Sequence, residues 1–326
     1  MTALSFPFKL NQGRYLVESV FADGGGMGVV LAARDKRCAN NHVLIKTTRY
    51  DGGRHARQFK YTVQEATKHV VATRKILEWE KKILVRFRNE GLNNIPSPNN
   101  FFYDKSLMLK AQHQGRTGAY SLPSDLLSAE PYLVMETIHG APLETTMRDP
   151  QWRQHMEVHL LTMCREILTI FIKMHKKIDL GGNPAQFLYQ DLKPANILVS
   201  ADDYFTLIDF GGTTMRLGGR TTEPTAGCIT TGYAAPEASR GRESEIDPRF
   251  DLYTLGATLW HVVTGHDPRD LPEEFPTLDP GLMRGKGISD EFVRIAAKAL
   301  HPDPAQRYSM AAAMRKDVMD VLRKRL

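Results

Sequence analysis

The sequence predicts an α+β chain of two lobes, a small β-rich N-terminal lobe and a larger helical C-terminal lobe. Its 326 residues are 42% hydrophobic and 25% charged, enough for two lobes with a buried core and no disulfides. Between Arg14 and Asp35 the pattern is strand, glycine-rich turn, strand. After Gly140 helical patterns dominate, with strongly apolar stretches at 158–174 and 252–263. The lobe boundary is therefore expected near residue 138.

The remaining elements of the N-terminal lobe follow from local patterns. A third strand, "HVLIK", ends at Lys46. The stretch "RKILEWEKKILVRF", residues 74–87, has apolar residues at helical spacing and predicts a helix. Two further strands are expected near Phe101 and at "PYLVMETI", residues 131–138, and the segment between them has loop composition.

Composition and charge argue against several classes of protein. Three cysteines lie far apart, which indicates free thiols and a cytoplasmic protein. The formal charge of +6 comes without a block of basic and aromatic residues, so no nucleic-acid partner is expected. The N-terminus lacks the pattern of a signal peptide, and neither apolar stretch fits a membrane segment.

A second hairpin gathers polar side chains at its open end. "NILV" and "YFTLID" read as strands joined by the turn "SADD", and a turn centred between Asp202 and Asp203 would place Asn196 opposite Asp209. An amide oxygen and a carboxylate are ligands that Mg²⁺ accepts, so the hairpin predicts a metal site. The alternative is an Asx-capped turn with surface carboxylates, which does not explain polar groups at the strand ends.

Two residues just before this hairpin suit group transfer. Asp191 lies five residues ahead of Asn196, where a carboxylate can accept the proton of an attacking hydroxyl. Lys193 can reach the oxygens of a transferring phosphoryl group. The spacing of Asp191, Lys193 and Asn196 is a weak signal alone and a strong one together with the predicted hairpin.

The motifs as a set resemble those of protein kinases. "DLKPANILV", "DFG" at 209–211 and "APE" at 235–237 look like the catalytic loop, the metal motif and the end of the activation segment. "VLIK", "DLYTLG" and "DPAQRYSM" occur in the family's order. The sequences of these motifs are most similar to those of bacterial-type (Hanks-type) serine/threonine protein kinases, and the resemblance extends over about residues 14–322.

The resemblance implies a nucleotide site for ATP between the lobes. The glycine turn would cover the phosphates with Gly25 and Gly28, and Val30 would lie over the adenine. The first glycine of the family pattern is replaced by Asp23, which is expected to point outward. Met135 takes the gatekeeper position, and the backbones of Glu136 and Ile138 would contact the adenine edge.

In the family a helix glutamate holds the phosphate-binding lysine, here Lys46. Glu65, Glu78 and Glu80 are candidates, and "EKKIL" fits the family's Glu-x-x-apolar-Leu with Glu80. Glu78 would point away from that helix face.

This choice and the loop composition complete the domain prediction. Residues 1–13 form an N-terminal extension, 14–138 the N-terminal lobe and 139–326 the C-terminal lobe. Insertions are expected at about 50–74 and 105–128. The basic residues of the first insertion are interpreted either as a docking surface for a regulatory partner or as a solvated helix, and the second is favoured.

The implied function is transfer of the ATP γ-phosphoryl group to Ser or Thr hydroxyls of protein substrates, with Mg²⁺ or Mn²⁺. In the family Asp251 braces the catalytic loop and Arg307 pairs with Glu237. Tyr189 and Gln190 replace the usual His-Arg; the tyrosine can stack on Phe210 as the histidine would. The alternative is a pseudokinase, a nucleotide-binding scaffold without turnover, supported only by the altered glycine turn and Gln190.

Overall fold

The structure is a computed structural model. It describes residues 4–22, 28–48, 63–107, 124–218, 220–222, 229–240, 246–273 and 275–325. The chain divides into an N-terminal unit, Met1–Arg88 with Pro96–Ile138, and a C-terminal unit, Asn89–Ile95 with His139–Leu326. The predicted α+β fold, with a sheet in the N-terminal unit and helices dominating the C-terminal unit, is confirmed.

The N-terminal unit is built on one antiparallel sheet. Its elements in chain order are β1 (Phe8–Leu10), β2 (Tyr15–Ala22), β3 (Gly28–Asp35), β4 (Asn41–Thr48), α1 (Val63–Asn89), β5 (Pro98–Asp104), α2 (Ser124–Ser128) and β6 (Glu130–Glu136). The strand order is β1-β2-β3-β4-β6-β5. One face is a core of alternating apolar residues that includes Val17, Leu31, Ile45, Tyr132 and Val134.

Strand β1 lies within the predicted N-terminal extension. Its residues pair with β2, from Phe8 opposite Val17 to Leu10 opposite Tyr15. The backbone N–H of Asn11 donates to the carboxylate of Asp104 over 2.7 Å, which links the end of β1 to the end of β5, the strand at the other edge of the sheet. Residues 8–10 of the predicted extension are thus part of this unit's sheet.

Helix α1 begins earlier than the sequence predicted. It starts at Val63 rather than near Arg74, so the last part of the predicted 50–74 insertion is helical, and residues 49–62 lie outside the described residues. The helix buries Leu77, Ile83 and Leu84 on one stripe. Its first turns are polar, so hydrophobic periodicity gave no signal there.

The C-terminal unit contains helices and two small sheets. Its elements are β7 (Ala141–Pro142), α3 (Leu143–Thr146), α4 (Pro150–Gln154), α5 (Met156–Met174), β8 (Ile178–Leu180), β9 (Asn183–Leu188), β10 (Ile197–Val199), β11 (Phe205–Leu207), β12 (Thr214–Leu217), β13 (Arg220–Thr222), α6 (Arg249–Thr264), α7 (Asp290–Ala299) and α8 (Ala311–Leu322). The apolar stretches read as buried helices are α5 and α6, and α6 is buried from Phe250 to Val263. Within the described residues, no helix is both long and apolar enough to span a bilayer.

The two sheets place the predicted site. One has the order β11-β10-β7 and the other β13-β12-β9-β8. The hairpin of β10 and β11 was predicted from the sequence, whereas β7 and the strands of the second sheet were not. Strands β8 and β9 are joined by Gly181 and Gly182 with φ of 63° and 84°, as a two-residue hairpin turn with both φ positive requires.

Candidate active site

The loop before β10 is held by a buried carboxylate. Asp251, in the first turn of α6, accepts the backbone N–H groups of Tyr189 over 2.9 Å and Gln190 over 2.8 Å. His175 Nε2 lies 2.8 Å from the same carboxylate. The predicted bracing by Asp251 is confirmed. A buried carboxylate that accepts several hydrogen bonds fixes the adjacent backbone, because leaving any of these groups unpaired is costly.

The carboxylate of Asp191 lies at the centre of a hydrogen-bonded cluster. Lys193 Nζ donates to Oδ2 over 2.7 Å, and Asn196 Nδ2 donates to Oδ2 over 3.0 Å and to the backbone oxygen of Asp191 over 2.8 Å. The hydroxyl of Thr230 donates to Oδ1 and accepts from Lys193 Nζ over 2.7 Å. The predicted residues Asp191, Lys193 and Asn196 are thus brought together.

The β10–β11 hairpin is present, but its predicted register is wrong by one residue. Ile197 pairs with Leu207 and Val199 with Phe205, and the N–H of Ile208 donates to the Asn196 carbonyl over 2.9 Å. Asn196 therefore lies opposite Ile208, and Asp209 is one position further along. The turn has an odd number of residues because Asp203 takes a left-handed conformation with φ of 54°.

The donor set around Asn196 fits a divalent cation. Both donated bonds of the Asn196 amide go to Asp191, and no hydrogen bond reaches its Oδ1 among the described residues. That oxygen and the nearby Asp209 carboxylate are the hard oxygen ligands that Mg²⁺ prefers. No group of three or more His, Cys, Asp or Glu that could hold a metal occurs in the described part of the chain, so a cation there would rely on few protein ligands, as Mg²⁺ sites beside phosphates do.

Two residues flanking the site have strained backbones. Gln190 has φ of 67° and Asp209 has φ of 61°, both in the left-handed region that favours glycine. Such conformations cost about 1–3 kcal/mol and persist where surrounding contacts impose them. The bond from Gln190 N–H to Asp251 is one such contact.

Tyr189 contacts Phe210 as predicted, although edge-to-face rather than stacked. The ring centroids are 5.2 Å apart with an interplanar angle of 77°. The Tyr189 hydroxyl also donates to the Ile208 carbonyl. This side chain thus ties the catalytic loop to the residues around Asp209.

In the N-terminal unit, Lys46 and Glu80 form the predicted ion pair. Lys46 Nζ lies 2.7 Å from Glu80 Oε2, and Glu80 is 2% exposed. Glu78 instead accepts from the hydroxyl of Tyr103 at the surface, over 2.8 Å. Val30 lies directly opposite Lys46 in the sheet.

The glycine turn and the hinge are only partly described. Gly25 and Asp23 lie outside the described residues. At Gly28, a Cβ would lie 2.9 Å from the Thr47 carbonyl oxygen, so close packing of β3 on β4 also requires glycine there. Glu136 has its N–H and carboxylate bonded to the backbone of Ser97 over 3.1 and 3.0 Å, which leaves the side chain occupied. Ile138 follows β6 and is half-buried.

The "APE" segment is fixed by Arg307. Its Nη1 and Nη2 donate to the two oxygens of Glu237 over 2.7 and 2.8 Å, so the predicted pair is confirmed. The guanidinium is fully buried. A bidentate, buried pair of this kind sets the position of the segment that carries Glu237.

Comparison with known proteins identifies the family. A family model described as "Protein kinase domain" matches residues 98–319. The chain belongs to the protein kinase domain family. The matched stretch contains the catalytic loop, Asp209 and the "APE" segment, whereas Lys46 and Glu80 precede it.

Curated relatives are bacterial serine/threonine kinases. The chain is 31% identical over 217 residues to serine/threonine-protein kinase PknB of Mycobacterium tuberculosis (strain ATCC 25618 / H37Rv), covering 63% of this chain and 32% of that protein. It is 30% identical over 203 residues to PknB of Mycobacterium leprae (strain TN), covering 59% and 30%. It is 28% identical over 250 residues to PknL of Mycobacterium tuberculosis (strain CDC 1551 / Oshkosh), covering 73% and 55%. The kinase domain thus spans about a third of PknB and about half of PknL, and the resemblance inferred from the motifs is confirmed.

Sequence reasoning missed some of the contacts around the site. The hydroxyl of Thr230 bonds both Asp191 and Lys193, which lie far from it in the sequence. His175, which contacts Asp251, gave no signal because a histidine at a helix end has many structural roles. The β8–β9 hairpin beside the catalytic loop was also missed, although the Gly-Gly pair at 181–182 is the signal that could have predicted it.

Proposed function

We propose that this kinase domain is a serine/threonine protein kinase that transfers the γ-phosphoryl group of ATP to the hydroxyl of Ser or Thr in protein substrates. The observation that carries the proposal is the Asp191 carboxylate held by Lys193, Asn196 and Thr230. A fixed carboxylate beside a lysine can accept a proton while the lysine offsets charge on a transferring phosphoryl group. The names of the bacterial relatives support the same activity.

Each step is assigned to a residue of the chain. The oxygen of the attacking hydroxyl forms a bond to the γ-phosphorus while the bond from that phosphorus to the β-phosphate oxygen breaks. Asp191 accepts the proton that the hydroxyl loses. Lys193 donates to the transferring oxygens. Asn196 and Asp209 would hold Mg²⁺ or Mn²⁺, which when bound neutralises charge on the phosphate oxygens. Because this chemistry depends mainly on positioning and electrostatics, the bracing by Asp251 matters as much as the groups themselves.

Nucleotide binding is assigned to the N-terminal unit. Lys46, held by Glu80, would contact the α- and β-phosphates. The remaining nucleotide contacts are proposed from the family resemblance at Gly25, Gly28, Val30, Glu136 and Ile138. The cytoplasmic location, and a regulatory partner at the basic stretch 50–74, also remain predictions from the sequence.

Labelled phosphate transfer tests the proposal. The chain is incubated with γ-labelled ATP, Mg²⁺ or Mn²⁺ and a generic basic protein, beside the variant Asp191→Asn and the control Asp202→Asn, which changes an exposed carboxylate in the β10–β11 turn. Label on Ser or Thr that falls about 10²–10⁴-fold in Asp191→Asn and not in Asp202→Asn supports the kinase. Nucleotide binding without label in either metal would identify the pseudokinase instead.

Regulation is proposed from Gln190. This side chain replaces the arginine that in the family pairs with a phosphorylated activation segment, and it is buried with no side-chain hydrogen bond among the described residues. The kinase is therefore expected to keep its basal activity without phosphorylation of that segment. Treatment with a phosphatase, checked by mass spectrometry, should leave most of the rate, whereas near-total loss would contradict the idea.

A further inference from the structure

Helix α1 has a second buried charge besides Glu80. Arg74 is 8% exposed and lies on the same helix, six residues before Glu80. Its Nη2 lies 2.5 Å from Glu130 Oε2, at the start of β6, and also donates to the Leu126 carbonyl in α2. Within the described residues, this ion pair and the pair of Glu80 with Lys46 are charged anchors between α1 and the sheet.

The acceptor of this pair is fixed in turn. Glu130 is 2% exposed and also accepts from the hydroxyl of Thr48, the last residue of β4. Burial raises the pKa of the Glu130 carboxyl, and the nearby Arg74 opposes that shift. Thr48 lies two residues after Lys46 on the same strand, so β4 carries both the partner of Glu80 and the residue that bonds Glu130.

The two anchors differ in position along and around the helix. Six residues correspond to a rise of about 9 Å and to a rotation of about 120° from one side chain to the other. A single contact lets a helix pivot about that point. Two contacts that are separated both along the helix axis and around it fix the rotation and the translation of the helix. Besides the apolar packing of α1 and the surface bond from Tyr103 to Glu78, the buried Arg74 pair therefore contributes to the position of Glu80 relative to Lys46.

We propose that Arg74 and Glu130 are positioning residues for phosphoryl transfer, which act by holding α1 so that Glu80 meets Lys46. The inference rests on the proposed kinase function and adds a pair of residues that do not touch the nucleotide. Lys46 has to be placed to within a fraction of an ångström, because misplacement by about 1 Å can cost a factor of about 10² in rate.

The test uses five variants of the full chain, one of which is a control. Arg74→Met removes the cation and keeps an unbranched side chain. The double-charge variant combines Arg74→Met with Glu130→Gln, which removes both charges so that no buried carboxylate is left unpaired. Glu80→Gln removes the first anchor, alone and combined with Arg74→Met. Lys75→Met is the matched control, because Lys75 is an exposed cation next to Arg74 on the same helix.

We expect the Arg74 variants to lose activity because Glu80 is displaced from Lys46. Arg74→Met and the double-charge variant should each lower the rate of labelled transfer by about 10- to 100-fold, while Lys75→Met changes nothing. In the Glu80→Gln background, Arg74→Met should cause little further loss, because both residues act on one contact. Thermal unfolding should show the double-charge variant close to the unaltered chain in stability.

Hydrogen exchange separates this inference from the proposed function. Without nucleotide, amides of residues 76–84 should exchange faster in the double-charge variant than in Lys75→Met at equal global stability. Full activity and unchanged exchange in the double-charge variant would overturn the proposal, as would a loss from Arg74→Met that multiplies independently with Glu80→Gln. If the unaltered chain transfers no phosphate, the proposed function fails, and the exchange measurement still decides whether Arg74 anchors the helix.

Discussion

Arg307 provides the sharpest test of what holds the C-terminal unit together. Its guanidinium is fully buried and donates two bonds to Glu237, one to the His301 carbonyl over 2.7 Å and one to the Pro302 carbonyl over 3.1 Å. The substitution Arg307→Met keeps much of the apolar volume and removes every one of these donors. The Glu237 carboxylate, nearly buried, then loses both of its bonds to Arg307.

The expected cost follows from that unpaired charge. Breaking a buried ion pair by removing one partner typically costs about 3–5 kcal/mol. For a folding unit of this size, each kcal/mol lowers the melting temperature by about 2–4 °C, so a fall of about 6–20 °C is expected. Adding Glu237→Gln should recover part of the loss, since a neutral amide is cheaper to bury than an unpaired carboxylate.

Thermal unfolding followed by circular dichroism measures the effect, with Arg323→Met as control. Arg323 pairs with Asp320 over 3.2 Å at the surface, where both side chains are at least half exposed, so its removal should cost less than about 1 kcal/mol. A loss for Arg307→Met no larger than that for Arg323→Met would refute the reasoning, and so would a double variant less stable than the single one.

Three further perturbations have defined outcomes. Asp251→Asn leaves one backbone N–H of the catalytic loop facing an amide donor, so the free energy of unfolding in urea should fall by about 2–3 kcal/mol. Labelled transfer should also be lost, and unchanged activity would contradict the bracing role. Gly232→Ala forces a Cβ to 2.7 Å from the Pro268 carbonyl at φ of 89°, so the urea midpoint should drop, and an unchanged midpoint would show that the turn relaxes freely. The Arg14 guanidinium lowers the pKa of Asp35 below its usual 3.8, so the stability from this pair is present above pH 3.8 and is lost as pH falls through the folded pKa. In acid unfolding, the stability of Asp35→Asn should therefore decline less over that range than the stability of the unaltered chain. Equal declines would argue against this role of the pair.

Contacts at the candidate site could be predicted from the sequence where a local motif decides position. Glu80 was chosen because "EKKIL" fits the Glu-x-x-apolar-Leu pattern of the family's helix, and Glu78, two positions earlier, would point away from that helix face. The ion pair with Lys46 bears out that choice.

Register and contacts between distant segments could not be predicted in the same way. Whether Asn196 faces Ile208 or Asp209 depends on one turn residue, Asp203, whose positive φ lengthens the turn by a backbone choice that an aspartate permits and does not require. Thr230 reaches Asp191 only through tertiary packing, about which the spacing of the two residues says nothing.

The ladder between β9 and β12 closes a single loop around the chemistry. Leu188 pairs with Thr214, so the chain from Tyr189 to Thr213 leaves and returns at hydrogen-bonded neighbours. Asp191, the proposed proton acceptor, and Asp209, a proposed cation ligand, both lie between these ends. Opening that ladder would loosen both ends of this segment at once, while Asp251 would still hold the backbone of Tyr189 and Gln190.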